Sequence, residues 1–306
     1  DAGNPRHNVY NMVASTSMKT PASLNLSAAP AALLPEKETT AIRTNFHSHT
    51  TRCNHATGRD EEYVQAAIAA GYRQLGISDH SPFPDHEGQV SGMRMHVTEF
   101  PDYLRSCQSL RENYAGEIEV FIGLEAEYYK PYHPWLLDLV QTHQLDYLIL
   151  GSHYDDPIED VYFGAIKSPR LLRRYTDHTI AGMRTGHFCA LAHPELFMIG
   201  YPRFDADCKA ASRDIIQAAI QLNLPLEYNL AGLYPQSWRT GLGYPTPGFW
   251  EIAAQEGATA IIGLDAHDPA RYADTGVYDD AVQHLKDLGI KRIDSLVPCR
   301  QKQQAG

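Results

Sequence analysis

The sequence predicts an α/β protein of seven consecutive parallel βα units, with its functional face at the C-terminal ends of the strands. Three observations predict it. Short apolar runs alternate with stretches of helical spacing from about residue 44 to residue 290. Almost every run ends in a histidine or a carboxylate: NFHSHT, LGISDH, VFIGLEAEY, YLILGSHY, CALAHP and AIIGLDAH. No internal repeat and no glycine-rich phosphate loop interrupts the alternation.

The elements follow in order. Residues 44–49 make the first strand, and 60–70 a helix that Gly71 closes. Residues 74–80 make the second strand. A loop with Pro82, Pro84 and Gly88 follows, too long for a plain connection, then a helix over 98–114 with Thr98 as its N-cap. The third strand is 118–125 and its helix 134–142; the fourth is 146–152 and its helix 169–186. The fifth strand, 188–192, is joined by the long loop PELFMIGYPRFDAD to a helix over 206–222. The sixth, 225–229, is joined by AGLYPQSWRTGLGYPTP to a helix over 247–257. The seventh strand is 259–265, and the last helix is 277–288. Residues 1–43, rich in Ala, Ser, Thr and Pro, are expected to form a flexible leader without the features of a secretory signal. Residues 44–293 are expected to be one catalytic domain and 294–306 a loose tail.

At 306 residues, with 43% hydrophobic and 10% aromatic content, the chain suffices for one large core. The net charge of −11 disfavours a nucleic-acid backbone as partner. No apolar run reaches the ~18 residues that span a bilayer. Cys53, Cys107, Cys189, Cys208 and Cys299 are widely spaced, with no CxxC pair, which predicts reduced thiols and a cytoplasmic setting.

The strand ends carry His47, His49, His55, His80, Glu125, His153, His193, Asp265 and His267. Alternate strand residues point the same way, so His47 and His49, and again Asp265 and His267, are placed to share an ion. A single pair also fits satisfied core histidines. Nine such residues on one face predict a metal centre, with more than one ion. Imidazole and carboxylate suit zinc, manganese or iron better than calcium or magnesium. Glu125 ends an apolar strand, where an unpaired carboxylate is costly and a cation compensates it. Glu127 is expected to support a ligand or meet the substrate. Cys53 is either a soft ligand or a bystander thiol. The remaining histidines fall in loops, helices and the leader, where surface and capping roles suffice.

In this order, NFHSHTTRCNH, SDHSPFP, GLEAEY, GSHY, AHPE and GLDAHDP resemble the polymerase-and-histidinol-phosphatase (PHP) family of metal-dependent phosphoesterases. They are most similar to its histidinol-phosphate phosphatase branch, over about residues 44–290. The resemblance implies a distorted (β/α)7 barrel and about three divalent ions. His47, His49, Glu125 and Asp265 would hold one ion. Glu125, His153 and His193 would hold a second, with Glu125 bridging. His55, His80 and His267 would hold the third. The implied reaction is hydrolysis of a small phosphomonoester, L-histidinol phosphate first among them, by a hydroxide bridging two of the ions. Glu125, Asp265 and His267 are the expected catalytic residues. A nucleotide phosphoesterase or 3′–5′ exonuclease of the same family is the alternative, and a non-catalytic metal-binding scaffold a third. Arg239, Arg203 and Arg94, in loops on the catalytic face, are the arginines expected to grip phosphate.

Overall fold

Buried tyrosine hydroxyls tie the strands of this chain to one another. Tyr147 is 1% exposed, and its hydroxyl donates to the Phe46 carbonyl at 2.7 Å. A Cβ at Gly76 would overlap that hydroxyl, so glycine makes the room. The Tyr103 hydroxyl lies 2.9 Å from the Ile77 carbonyl and 2.7 Å from that of Gly123, at the join of two strands.

The computed structural model describes residues 42–84, 91–159, 161–234 and 239–296. The expected leader and tail lie almost wholly outside them. Eight parallel strands pair in chain order: β1 (Arg43–Asn45), β2 (Tyr72–Ile77), β3 (Glu119–Ala126), β4 (Tyr147–Leu150), β5 (Ala190–Leu191), β6 (Leu226–Asn229), β7 (Thr259–Gly263) and β8 (Lys291–Arg292). Seven helices cover them: α1 (Asp60–Ala69), α2 (Phe100–Asn113), α3 (His133–His143), α4 (Pro169–Arg184), α5 (Ala206–Gln221), α6 (Pro247–Glu256) and α7 (Thr275–Asp287).

The seven βα units agree with the expectation; β8 adds a strand. It is two residues long, Lys-Arg, and carries no apolar pattern to predict it. Among the described residues, the strand ladder runs from β1 to β8 without a β1–β8 pair. Beyond the ends of β1 and β7 the chain pairs again, with a parallel bridge from Ser48 to Ala266. There the His49 amide donates to the Ala266 carbonyl at 2.9 Å, and the Ala266 amide to the His47 carbonyl at 3.2 Å.

The first strand is shorter than its expected span. A side chain takes over from the ladder at its end. Asn45 Nδ2 donates to the His47 carbonyl at 3.0 Å, and Asn45 Oδ1 accepts from the Leu264 amide at 2.9 Å. His47 and His49 thus lie just past the strand, on the rim. The 98–114 helix begins as a 3-10 turn at Val97–Glu99, and His96, not Thr98, is its N-cap. Ser168 and Asp205 cap α4 and α5. Gly71 follows α1 with φ at 77°, the left-handed turn expected of it. Among the described residues no helix is long and apolar enough to cross a membrane.

Candidate metal centre

Glu125, on β3, is 1% exposed and sits at the centre of the rim. Its Oε1 is 2.7 Å from His193 Nε2 and 3.6 Å from His153 Nε2. Its Oε2 is 3.1 Å from His80 Nδ1, 3.3 Å from His47 Nε2 and 3.5 Å from His49 Nε2. Asp265 Oδ1 lies 3.1 Å from His49 Nε2 and 3.4 Å from both His47 Nε2 and His267 Nδ1. His267 Nε2 is 2.9 Å from His55 Nε2. The structure therefore gathers all nine sequence-selected residues. Several sets of three present their ligand atoms within 4.8 Å of one another: His47–Glu125–His193, His47–His49–Asp265 and His49–His80–His267. The third of these has His49 where the family resemblance implies His55; His55 joins His267 and Cys53 in a further set.

Hydrogen bonds to the far side of each ring decide which nitrogens face inward. The His55 and His267 Nδ1 atoms lie 2.7 and 3.0 Å from the backbone carbonyls of Cys53 and Asp265. A carbonyl only accepts, so both Nδ1 atoms carry hydrogen and both Nε2 atoms present lone pairs. Those lone pairs face each other at 2.9 Å. Two acceptors at that distance repel unless a cation lies between them. A proton is a poor candidate: burial and the charge of His49 push the His267 pKa down to about 3, and the same two causes lower His55. His47 Nε2, both nitrogens of His49, His80 Nδ1 and Glu125 Oε2 are buried without a hydrogen-bond partner. The residues fit divalent ions.

Groups that the sequence did not single out hold the ligands. Glu227, on β6, accepts from His47 Nδ1 at 2.7 Å through Oε1, and from the His193 amide at 2.9 Å through Oε2. Asn229 Nδ2 lies 2.8 Å from Glu227 and 3.2 Å from Asp265 Oδ2. A Cβ at Gly263 would overlap Glu227 Oε1, so glycine is required where β7 passes it. Asp79 accepts from the His80 amide at 2.8 Å and lies 3.5 Å from His49 Nδ1. His193 and Asp265 have φ of 25° and 47°, at a cost of roughly 1–3 kcal/mol each, which this surrounding framework sustains. Cys53 is fully buried, and burial pushes its thiol up to about 12.

Charge is unevenly shared. Burial works against protonation of His49, but the carboxylates of Asp265 and Asp79, 3.1 and 3.5 Å from its ring nitrogens, outweigh it and raise the pKa to about 9. His47 is also raised well above the ordinary imidazole value, where Glu227, Asp265 and Glu125 overcome its burial. Glu125 and Asp265 are held well below the carboxylate range: burial opposes this, and His47 first among the histidines overrides it. An ion must therefore displace protons from His47 and His49. Because those pKa values are raised, metal affinity grows as pH rises through them and falls as pH drops toward neutrality and below, by up to tenfold per unit for each proton displaced. Calorimetry of zinc binding in buffers of different ionisation enthalpy should show proton release near pH 7; affinity constant from about pH 6 to 9 would contradict these protonation states.

A cavity of about 630 Å³ opens over the rim, walled by Met93, Tyr154, Tyr162, Tyr234 and Tyr244. Its arginine is Arg271, in the 3-10 turn Pro269–Ala273 after β7. The Arg271 guanidinium stacks on the Tyr234 ring at 3.7 Å. The three arginines expected from sequence do not line this cavity. Arg203 is exposed elsewhere. Arg239 donates through Nη2 to the Gly232 carbonyl, which turns its guanidinium into its own loop. Arg94 is 6% exposed and tied to Glu127 and Glu159. Glu127 is 1% exposed and engaged by Arg94 and His153 through its two oxygens, so it is not placed to meet a substrate.

Comparison with known proteins agrees with this geometry. The PHP domain model matches residues 45–231, and the chain belongs to the PHP domain family. It is 29% identical over 259 residues to a probable histidinol-phosphatase of Deinococcus radiodurans, covering 79% of this chain and 92% of that one. A probable histidinol-phosphatase of Schizosaccharomyces pombe is 25% identical over 248 residues, covering 73% and 80%. The fold is shared with a histidinol phosphate phosphatase of Lactococcus lactis, solved with zinc, L-histidinol and phosphate: TM-score 0.64, 17% identity, covering 84% of this chain and 97% of that one.

Proposed function

We propose that this chain is a phosphoric monoester hydrolase that converts L-histidinol phosphate to L-histidinol and phosphate, as a step of histidine biosynthesis, at a centre of about three divalent ions. The observation that carries the metal chemistry is the facing Nε2 pair of His55 and His267 beside Glu125 and its histidines. His47, His49, Glu125 and Asp265 would hold one ion; Glu125, His153 and His193 a second; His55, His80 and His267 a third. Zinc, manganese and iron suit these donors. Bound ions supply Lewis acidity toward the phosphoryl oxygens and lower the pKa of water toward neutrality.

The chain's own residues do the rest. Glu227, Asp79 and Glu127 orient the ligand rings. The tyrosine walls and Met93 shield the rim from bulk water and enclose a small substrate body. Arg271, held flat by Tyr234, presents a planar fork to phosphate from the open side. The free, buried thiols of Cys53, Cys107 and Cys208 accord with a reducing, cytoplasmic setting.

Substrate choice is tested by kcat/KM for L-histidinol phosphate, a 3′- and a 5′-nucleotide, and a single-stranded oligonucleotide. Histidinol phosphate should lead by at least roughly tenfold, the worth of about 1.4 kcal/mol of differential binding. An equal or faster nucleotide or oligonucleotide would replace this reading with the nucleotidase or nuclease alternative. Arg271→Ala should lower kcat/KM by about one to two orders of magnitude, since a charge-assisted contact contributes roughly 1.5–3 kcal/mol, and leave metal content unchanged. Unaltered kinetics would remove Arg271 from the phosphate site.

A further inference from the structure

Arg94 is buried near the rim with every guanidinium nitrogen engaged, and it does not line the cavity. Its Nη1 donates to Glu127 Oε2 at 2.7 Å and its Nε to Glu159 Oε1 at 2.9 Å. Its Nη2 reaches the Tyr129 hydroxyl at 3.3 Å, and its guanidinium lies 5.4 Å from the Phe83 ring centre and 5.7 Å from that of Tyr129. This fork joins two structures that matter to the site.

On one side stands His153. Glu127 Oε1 lies 3.0 Å from His153 Nδ1. A carboxylate held by an arginine only accepts, so Nδ1 carries the hydrogen and Nε2 presents its lone pair toward Glu125, 3.6 Å away. On the other side stands Glu159, in the loop after β4, with φ at 56°. The Ser91 hydroxyl donates to the same Glu159 oxygen at 2.6 Å. Gly92, Met93 and Tyr154, in the two loops so joined, line the cavity.

We infer that Arg94 is a positioning residue of the metal centre: through Glu127 it fixes the ring orientation and tautomer of His153, and through Glu159 it locks that ligand to the cavity wall. This rests on the metal-dependent reading above. It differs from a phosphate-gripping role, because the guanidinium is spent on two carboxylates and is walled off by Phe83 and Tyr129. Arg94→Met leaves Glu127 without its counter-charge, free to turn away from His153. Arg94→Lys keeps a charge near Glu127 and loses the fork that reaches Glu159 as well.

The test uses the whole chain. Zinc affinity is measured by competition with a chromophoric chelator, and kcat, KM and the inhibition constant of inorganic phosphate are measured at saturating zinc. Arg94→Met should weaken one zinc site by about 10–100-fold. Excess zinc should restore most of kcat, and the phosphate inhibition constant should stay within about twofold of the wild type. Arg94→Lys should fall between the two in zinc affinity. Unchanged zinc affinity in Arg94→Met, or a phosphate inhibition constant raised about tenfold or more at saturating zinc, would overturn the inference. Should Arg94→Met not fold, Glu159→Gln decides: a weaker zinc site supports the lock, and unchanged affinity overturns it. The wild-type titration, run alongside, keeps the two proposals apart. A wild type that takes up no zinc defeats the functional reading itself; a wild type that binds zinc beside indifferent variants defeats only the role of Arg94.

Discussion

Glu125→Gln should cost the protein nearly all of its phosphatase activity while leaving its fold in place. Among the described residues, Glu125 is the one carboxylate within 3.6 Å of His47, His49, His80, His153 and His193 together. Its two oxygens face different histidines, so it can bridge ions on either side. Glutamine keeps the volume but removes the charge and one acceptor oxygen. The ions would then approach five imidazoles with Asp265 as their remaining close counter-charge. A fall in kcat/KM of roughly 10³-fold, about 4 kcal/mol of barrier, is the expected scale. Elemental analysis should show fewer ions per chain, and circular dichroism should be unaltered. Near-wild-type turnover with full metal content would show that Glu125 is a structural carboxylate and that the centre lies elsewhere.

The strand ends were readable because a buried ligand needs an apolar strand to carry it. That logic found Glu125, and applied evenly it would also have found Glu227. Glu227 sits in PLEYN, the sixth strand run, and is 4% exposed. The sixth run ends in asparagine and not in a histidine or acid, so its end carries no ligand signal. Strand boundaries were less readable at the rim, where Asn45 replaces ladder hydrogen bonds with side-chain ones. β8, two charged residues long, left no pattern to read.

The arginines show where sequence reasoning stops. Arg94 and Glu127 are 33 residues apart, and nothing local announces that they pair. Arg239 follows β6 in a long loop, and its guanidinium turns to the Gly232 carbonyl. Arg271 was in plain view in the segment DPARYADTG. Its value depends on Tyr234, which arrives from the loop after β6 to set its plane. Loops carry no periodicity, so side-chain direction in them comes only from tertiary contacts.

Removal of metal should have an effect as large as that of Glu125→Gln and is more direct. The inward lone pairs of His55 and His267, 2.9 Å apart, and the unpartnered nitrogens of His47, His49 and His80 converge where bound ions would join them. The protein is stripped with a strong chelator, and phosphate release from L-histidinol phosphate is then followed as zinc, manganese or iron(II) is added back. Activity should fall at least about 10³-fold on stripping and return as binding saturates near three ions per chain. Full activity in strong chelator, with an ion content near zero, would contradict a metal-dependent phosphatase.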